Sequence, residues 1–145
     1  MDSINLSEML KKREIEKVEE DKEAAERLLA AGERMLKTAN DNLGIENYDV
    51  ALSLAYNAML NAGMSLMAAK GYRAFSEGHH KTVVTFCAIF LGSSASLLVN
   101  IFNRCRVRRH EVVYGEIAGS AVEKSEAENA VAKAKEFVEL IKSKR

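Results

Sequence analysis

The sequence predicts an all-α protein, an up-and-down bundle of four to five helices. The 145 residues contain no proline and 20 alanines; helices accept proline only in their first turn and favour alanine over every other residue. Apolar residues also recur at intervals of three and four along most of the chain. With 48% hydrophobic residues, a chain of this length can bury a core as one domain, 1–145, whose residues 1–15 form a charged lead-in.

Five helices are predicted: Glu16–Leu43, Asn47 or Asp49 to Lys70, His79–Leu91, Ser93 or Ser94 to Tyr114, and Ser125 to the C-terminus. In the first two, apolar and small side chains fall on one stripe. Gly44 and Gly71 stand where a left-handed residue ends a helix. Asn47 or Asp49 supplies an oxygen to cap the second helix. Tyr72–Gly78 is predicted to be a loop.

The remaining helices are also bounded by recognisable residues. The third is hydrophobic almost all round and is therefore expected at the centre of the bundle. Gly92 ends it, and Gly115 with Gly119 marks a loop after the fourth helix. The pattern Ser125-Glu126-Ala127-Glu128 predicts a capping box at the start of the fifth.

One segment allows a different interpretation. Thr82–Asn103 contains 22 residues without a formal charge and is followed at once by arginines, as a membrane-spanning helix would be. Its strongly apolar part, Val83–Leu91, is only 9 residues long, and Gly92 to Ser96 interrupts it. The pattern favours a buried helix, a turn and a second helix, so we expect no membrane span.

The zero net charge conceals a strong segregation. Residues 1–69 carry 8 basic and 13 acidic side chains, residues 70–110 carry 7 and 1, and residues 111–145 carry 6 and 7. This excludes a generally basic nucleic-acid binder but predicts a local anion site. Cys87 and Cys105 lack disulfide or zinc spacing, and the N-terminus lacks the pattern of a signal peptide. We expect a cytoplasmic protein with reduced cysteines, no metal and no cofactor.

The segment 103–115 concentrates groups that recognise phosphate. Four of its first seven residues are arginines, and arginine binds phosphate oxygens in pairs. At about 100° per residue, one polar stripe runs along the fourth helix, with Arg104 and Arg109 pointing elsewhere. The stripe consists of Asn103, Arg106, His110 and Tyr114. Histidine transfers protons near neutral pH and tyrosine stacks or donates its hydroxyl, so the segment predicts an RNA or nucleotide site. Alternatively, its arginines pair with the acidic first helix or with a partner.

Two metal patterns are incomplete. Glu77-x-x-His80 occurs once, whereas a di-iron bundle needs two such pairs and two further glutamates. His110-Glu111-x-x-Tyr114 has tyrosine where a zinc protease has its second histidine. We expect surface or helix-capping histidines at 79 and 80.

Taken together, several short patterns resemble the HEPN family in its small archaeal and bacterial members. They are Asn47-Tyr48-Asp49-Val50-Ala51, Ala55-Tyr56-Asn57-Ala58-Met59, Ala68-Ala69-Lys70-Gly71-Tyr72, Gly78-His79-His80, Arg109-x4-Tyr114-Gly115 and Ala134-Lys135-Glu136-Phe137-Val138. The similarity covers approximately residues 17–142.

The resemblance implies a homodimeric helical bundle with an Arg-x4-6-His motif on its fourth helix near the dimer cleft. Many such proteins are metal-independent ribonucleases, often toxins paired with a minimal nucleotidyltransferase antitoxin that modifies a tyrosine beside the motif. Arg109 matches the motif arginine and His110 the polar residue after it, while Tyr114 stands where active members have histidine. An alternative register, Arg104-x5-His110, satisfies the literal spacing.

Two hypotheses on function follow. In the first, an RNA-binding or nucleotide-binding protein uses Arg109, His110 and Tyr114 as catalytic residues of a ribonuclease toxin; Asn103, Arg104 and Arg106 hold phosphate. In the second, the same helix forms a non-catalytic dimerisation or partner-binding module.

Overall fold

The computed structural model describes residues 5–75, 80–115 and 121–145, and within these ranges it confirms the all-α bundle. The elements are α1 (Leu6–Lys11), β1 (Ile15–Lys17), α2 (Lys22–Gly44), α3 (Tyr48–Lys70), β2 (Tyr72–Ala74), α4 (His80–Leu91), α5 (Ser96–Tyr114) and α6 (Lys124–Lys144). The predicted helices Asn47–Lys70, His79–Leu91 and Ser93–Tyr114 correspond to α3, α4 and α5 within a few residues.

The centre of the bundle is α3 rather than the third predicted helix. It packs against α2, α4, α5 and α6 and is buried on nearly every side, Tyr56 and Met59 included. Phe86, Phe102 and Phe137 bring α4, α5 and α6 into the same core. Because α3 contacts four helices, its side chains are packed from several directions, and the residues that it contributes to a cleft are held in place.

The first predicted helix begins too early, because residues 15–17 form a strand. β1 pairs antiparallel with β2, with Ile15 opposite Ala74 and Lys17 opposite Tyr72, so the loop predicted from Tyr72 to Gly78 is wrong for 72–74. The ammonium of Lys17 lies 4.3 Å from the centre of the Tyr72 ring, a favourable cation–π contact. The charged lead-in contains α1, whose Met9 is buried in the core.

The predicted helix ends are partly correct. Gly71 ends α3 in the left-handed region at φ 83°, where an added Cβ would also lie 2.7 Å from the carbonyl oxygen of Val18. Gly44 instead belongs to α2, and Glu46 takes the left-handed conformation. The capping box at Ser125 is wrong: α6 begins at Lys124, after an N-cap that makes no side-chain cap bond. Gly119 lies outside the described residues.

The uncharged segment Thr82–Asn103 is not one helix. Gly92, with φ 79°, separates α4 from a 3-10 turn at Ser93–Ala95 that leads into α5. Among the described helices, only α3 has the length and composition to span a membrane, and 67% of its most apolar window is buried within the bundle. That burial is the property of a core helix.

Candidate functional site

A cleft of about 430 Å³ opens where α3, the start of α4 and the second half of α5 meet. Its described lining residues are Tyr56, His80, Lys81, Thr82, Arg106, Arg109 and His110. We call it the arginine cleft. The three α5 residues are spaced i, i+3 and i+4 and so share one helix face. No carboxylate occurs among these described lining residues, so the formal charges that they contribute are all positive.

The two arginines of the arginine cleft are held without an ion pair to any described carboxylate. Arg106 donates from Nε to Oδ1 of Asn103 at 3.1 Å. The guanidinium carbon of Arg109 lies 5.8 Å from the centre of the Tyr56 ring, and its buried Nε has no hydrogen-bond partner among the described residues. Both side chains are thus positioned by neutral neighbours, which leaves their charge for a ligand.

Arg108 has a structural role instead. Its Nε and Nη2 donate to the two carboxylate oxygens of Glu126 at 2.7 and 3.3 Å, and Nη1 donates to Glu111 at 3.3 Å. These bonds join α5 to α6. The expectation that the arginines of α5 pair with the acidic first predicted helix is therefore wrong within the described residues. The carboxylates that pair with Arg108 belong to α5 and α6.

Tyr56 lines the arginine cleft and carries a buried hydroxyl. The residue is 0% exposed, and its ring packs against Phe102 and His80 with centroids 5.8 and 5.9 Å away. Burial raises the pKa of Tyr56 to about 12, against the opposing effect of Arg106 and Arg109. The hydroxyl therefore keeps its proton, yet it has no hydrogen-bond partner within the described part of the chain. A buried donor without an acceptor is rare.

His80 begins α4 and is half-buried in the same cleft. Burial is the largest cause that lowers the pKa of His80 below its usual 6.5, and the charges of Arg109 and Arg106 act in the same direction. Its ring is therefore mainly neutral at pH 7. Because the first amides of a helix lack intrahelical acceptors and lie at the positive end of the helix dipole, the start of α4 also favours a negative ligand.

The structure brings together three of the six residues that the sequence suggested as a site. Arg106, Arg109 and His110 line the arginine cleft, so the expectation that Arg109 points away from the polar stripe is wrong. Arg109 lies only three residues from Arg106, about 60° around the helix. Tyr114 is exposed beside the cleft, with its ring centroid 4.7 Å from that of His110.

The other two predicted residues lie in a different place. Asn103 and Arg104 line a second groove of about 350 Å³, which also includes Glu126 and Asn129 of α6. Asn103 contributes to the arginine cleft only through its bond to Arg106. In the alternative register, Arg104 and His110 consequently occupy separate cavities.

Sequence reasoning did not place Tyr56 or His80 in a functional site. Tyr56 was predicted on the core-facing side of its helix, where it is indeed buried, and no sequence signal shows that it also lines a cleft. His80 stands in the Gly78-His79-His80 pattern that contributed to the resemblance, so a signal existed for it. Both become functional candidates only because α3, α4 and α5 converge.

The described residues do not provide a set of metal ligands. No group of three or more histidine, cysteine, aspartate or glutamate side chains there is arranged to hold an ion. The Glu77-x-x-His80 pattern lies partly outside the described residues, since these omit 76–79. At the other incomplete pattern, His110 and Tyr114 are in ring contact.

Comparison with protein-family models matches residues 8–144 to the HEPN domain. Comparison with curated proteins finds no match.

Proposed function

The chain belongs to the HEPN-domain family, and we propose that its arginine cleft binds a phosphate group of RNA or of a nucleotide. One observation carries the proposal: the described lining contains three cations, Lys81, Arg106 and Arg109, and no carboxylate. Four closely spaced arginines repel one another unless anions are near. The four are Arg104, Arg106, Arg108 and Arg109. Of them, only Arg108 forms an ion pair with a carboxylate among the described residues.

Two unpaired donors strengthen the choice of an anionic ligand. The Tyr56 hydroxyl and the Arg109 Nε are both buried and lack an acceptor within the described chain. Leaving a buried donor unpaired costs about 1–3 kcal/mol. A phosphate oxygen entering the arginine cleft would accept from these groups and remove that cost, whereas a cationic or purely apolar ligand would not.

The finer proposal is metal-independent RNA cleavage as the toxin component of a toxin–antitoxin pair. His110 is the α5 histidine of the cleft and transfers a proton, while Arg109 and Arg106 hold the scissile phosphate. Tyr114 lies beside His110, with ring centroids 4.7 Å apart, and orients the substrate. Its exposure also suits modification by a nucleotidyltransferase partner.

Matched arginine variants test the binding site. Labelled single-stranded RNA is titrated with wild type, Arg109→Gln and Arg104→Gln by fluorescence anisotropy. Both variants lose one charge from α5, but only Arg109 lines the arginine cleft. Arg109→Gln should weaken binding roughly 10- to 150-fold, the value of a hydrogen bond to a charged group, and Arg104→Gln should change it only a few-fold. Equal losses would mean that RNA senses only the overall charge of the helix.

Cleavage is tested in the presence of chelator. Wild type should cut RNA, and both His110→Asn and Arg109→Gln should lose most of that activity. Cleavage that is unchanged in the two variants would sink the catalytic assignment. Binding that depends on Arg109 without any cleavage would leave an RNA-binding domain.

A second candidate function is a non-catalytic dimerisation or partner-binding module. It is favoured by Val107 and Tyr114, which are exposed although apolar or aromatic and lie seven residues apart on one face of α5. Light scattering of wild type and of Val107→Glu would test a homodimer through this face. A monomer at micromolar concentration, or a dimer that Val107→Glu leaves intact, contradicts it.

A further inference from the structure

We propose that His80 binds the ribose 2′-hydroxyl of the RNA and accepts its proton during cleavage. This inference rests on the proposed function, because it supposes that a phosphate occupies the arginine cleft. It assigns the second proton-transfer group to a helix other than the one that carries Arg109 and His110.

The position of His80 supports the assignment. Its ring lines the arginine cleft from α4, a different helix from the one that carries Arg109, and packs 5.9 Å from the Tyr56 ring, centroid to centroid. No hydrogen bond joins either ring nitrogen to another described residue, so both remain available to a ligand. The side chain is only half-buried, which leaves it accessible from the cleft.

The hydrogen-bonding inventory of the arginine cleft explains why a hydroxyl is the ligand group for His80. Lysine and arginine side chains can only donate, and Tyr56 is a buried donor. These groups match phosphate oxygens, which only accept. A neutral imidazole instead offers an unprotonated nitrogen, which needs a donor such as a hydroxyl. RNA presents both features on one ribose, a 3′-phosphate and the adjacent 2′-hydroxyl, whereas DNA lacks the second.

The charges that face His80 keep it in the accepting form. The described groups around it are Tyr56 from α3, Lys81 from α4, and Arg106, Arg109 and His110 from α5. None of them is an anion that would stabilise an imidazolium. Burial and the two arginines lower the pKa of His80, so the base form predominates at neutral pH.

The chemical step needs nothing beyond these groups. A ring nitrogen of His80 takes the proton of the 2′-hydroxyl as that oxygen forms a bond to phosphorus. The bond between phosphorus and the 5′-oxygen breaks, and the leaving oxygen takes a proton from protonated His110. The products are a 2′,3′-cyclic phosphate and a 5′-hydroxyl end, with both protons accounted for and no change of oxidation state.

The test compares three variants on RNA and on 2′-deoxy oligonucleotides of the same base sequence. Wild type should bind RNA about fivefold more tightly than the deoxy oligonucleotide, the value of one net hydrogen bond. His80→Leu should reduce this ratio to near one, whereas the neighbouring Lys81→Gln should weaken both ligands alike. His80→Gln keeps an acceptor oxygen, so it should retain much of the preference.

Cleavage separates binding from base catalysis. Both His80→Leu and His80→Gln should slow cleavage about 10²- to 10⁴-fold, the usual value of a general base, and should remove the acid limb of the kcat/KM profile. If His80→Leu keeps the preference for RNA and the pH profile of wild type while binding still depends on Arg109, the role of His80 is overturned but the proposed function is not. If Arg109→Gln binds RNA as tightly as wild type, the proposed function is overturned, and this inference with it. Circular dichroism establishes that each variant is folded.

Discussion

Replacing Tyr56 by phenylalanine should stabilise the protein and weaken its affinity for RNA. The change removes only the hydroxyl, which is buried and lacks an acceptor within the described residues, and keeps the ring that packs on Phe102. Because an unpaired buried polar group costs about 1–3 kcal/mol, the free energy of unfolding should rise by up to that amount.

The same hydroxyl donates to phosphate in the proposed complex. A hydrogen bond to a charged group contributes about 1.5–3 kcal/mol, so losing it should raise the Kd for RNA roughly 10- to 150-fold. Since the pKa of Tyr56 is raised to about 12, the hydroxyl stays protonated and this loss should be the same from pH 6 to pH 9.

Urea unfolding followed by circular dichroism and RNA titration by anisotropy measure the two effects. Tyr72→Phe is the matched control, because Tyr72 lies in β2 and not in the lining of the arginine cleft; its stability should change by less than about 0.5 kcal/mol and its affinity not at all. A Tyr56→Phe protein that is less stable than wild type and binds RNA equally well would refute the reasoning, since its hydroxyl would then be bonded in the free protein.

Three further predictions concern the surrounding structure. Arg109→Gln removes a charge that disfavours the imidazolium, so NMR titration should find the pKa of His80 higher than in wild type; an unchanged or lower value contradicts the assigned cause. Arg108→Met breaks the link between α5 and α6 and should cost roughly 1 kcal/mol in urea unfolding without a large change in RNA affinity, whereas a loss equal to that of Arg109→Gln would place Arg108 in the site. Gly63→Ala would set a methyl group 2.7 Å from a valine methyl of α4 and should lower the unfolding free energy by about 1–3 kcal/mol. In contrast, Gly44→Ala meets nothing within 4 Å and should be neutral or stabilising by up to about 1 kcal/mol; equal effects of the two glycine changes would exclude close packing of α3 on α4.

The helices were predictable because their signals are local. Apolar spacing, the absence of proline and the glycines at 71, 92 and 115 all act within a few residues of the element they define. The β1–β2 ribbon was not predictable in this way, since it pairs Ile15 with Ala74, a contact far apart in sequence. Its short strands carry too few residues to show a period of two.

The candidate site, too, was predictable only where its signals are local. Arginine density and a spacing of three and four residues were sufficient to indicate Arg106 and His110 on one helix face. The angle between Arg106 and Arg109 was misjudged at the sequence level, and the pairing of Arg108 with Glu126 depends on where α6 lies. No local pattern distinguishes an arginine that bridges helices from one that faces a cleft.

The sequence by itself therefore determined the helical class, the family and the cationic character of α5, because composition, spacing and charge are properties of the chain. Only the tertiary structure decided which cations remain available to an anion and which neutral groups share their cleft. Tyr56 and His80 join Arg109 from two other helices, and burial among those helices raises the pKa of one and lowers that of the other. Burial of these groups and the meeting of three helices are consequences of packing, and they make part of a basic helix into a candidate site.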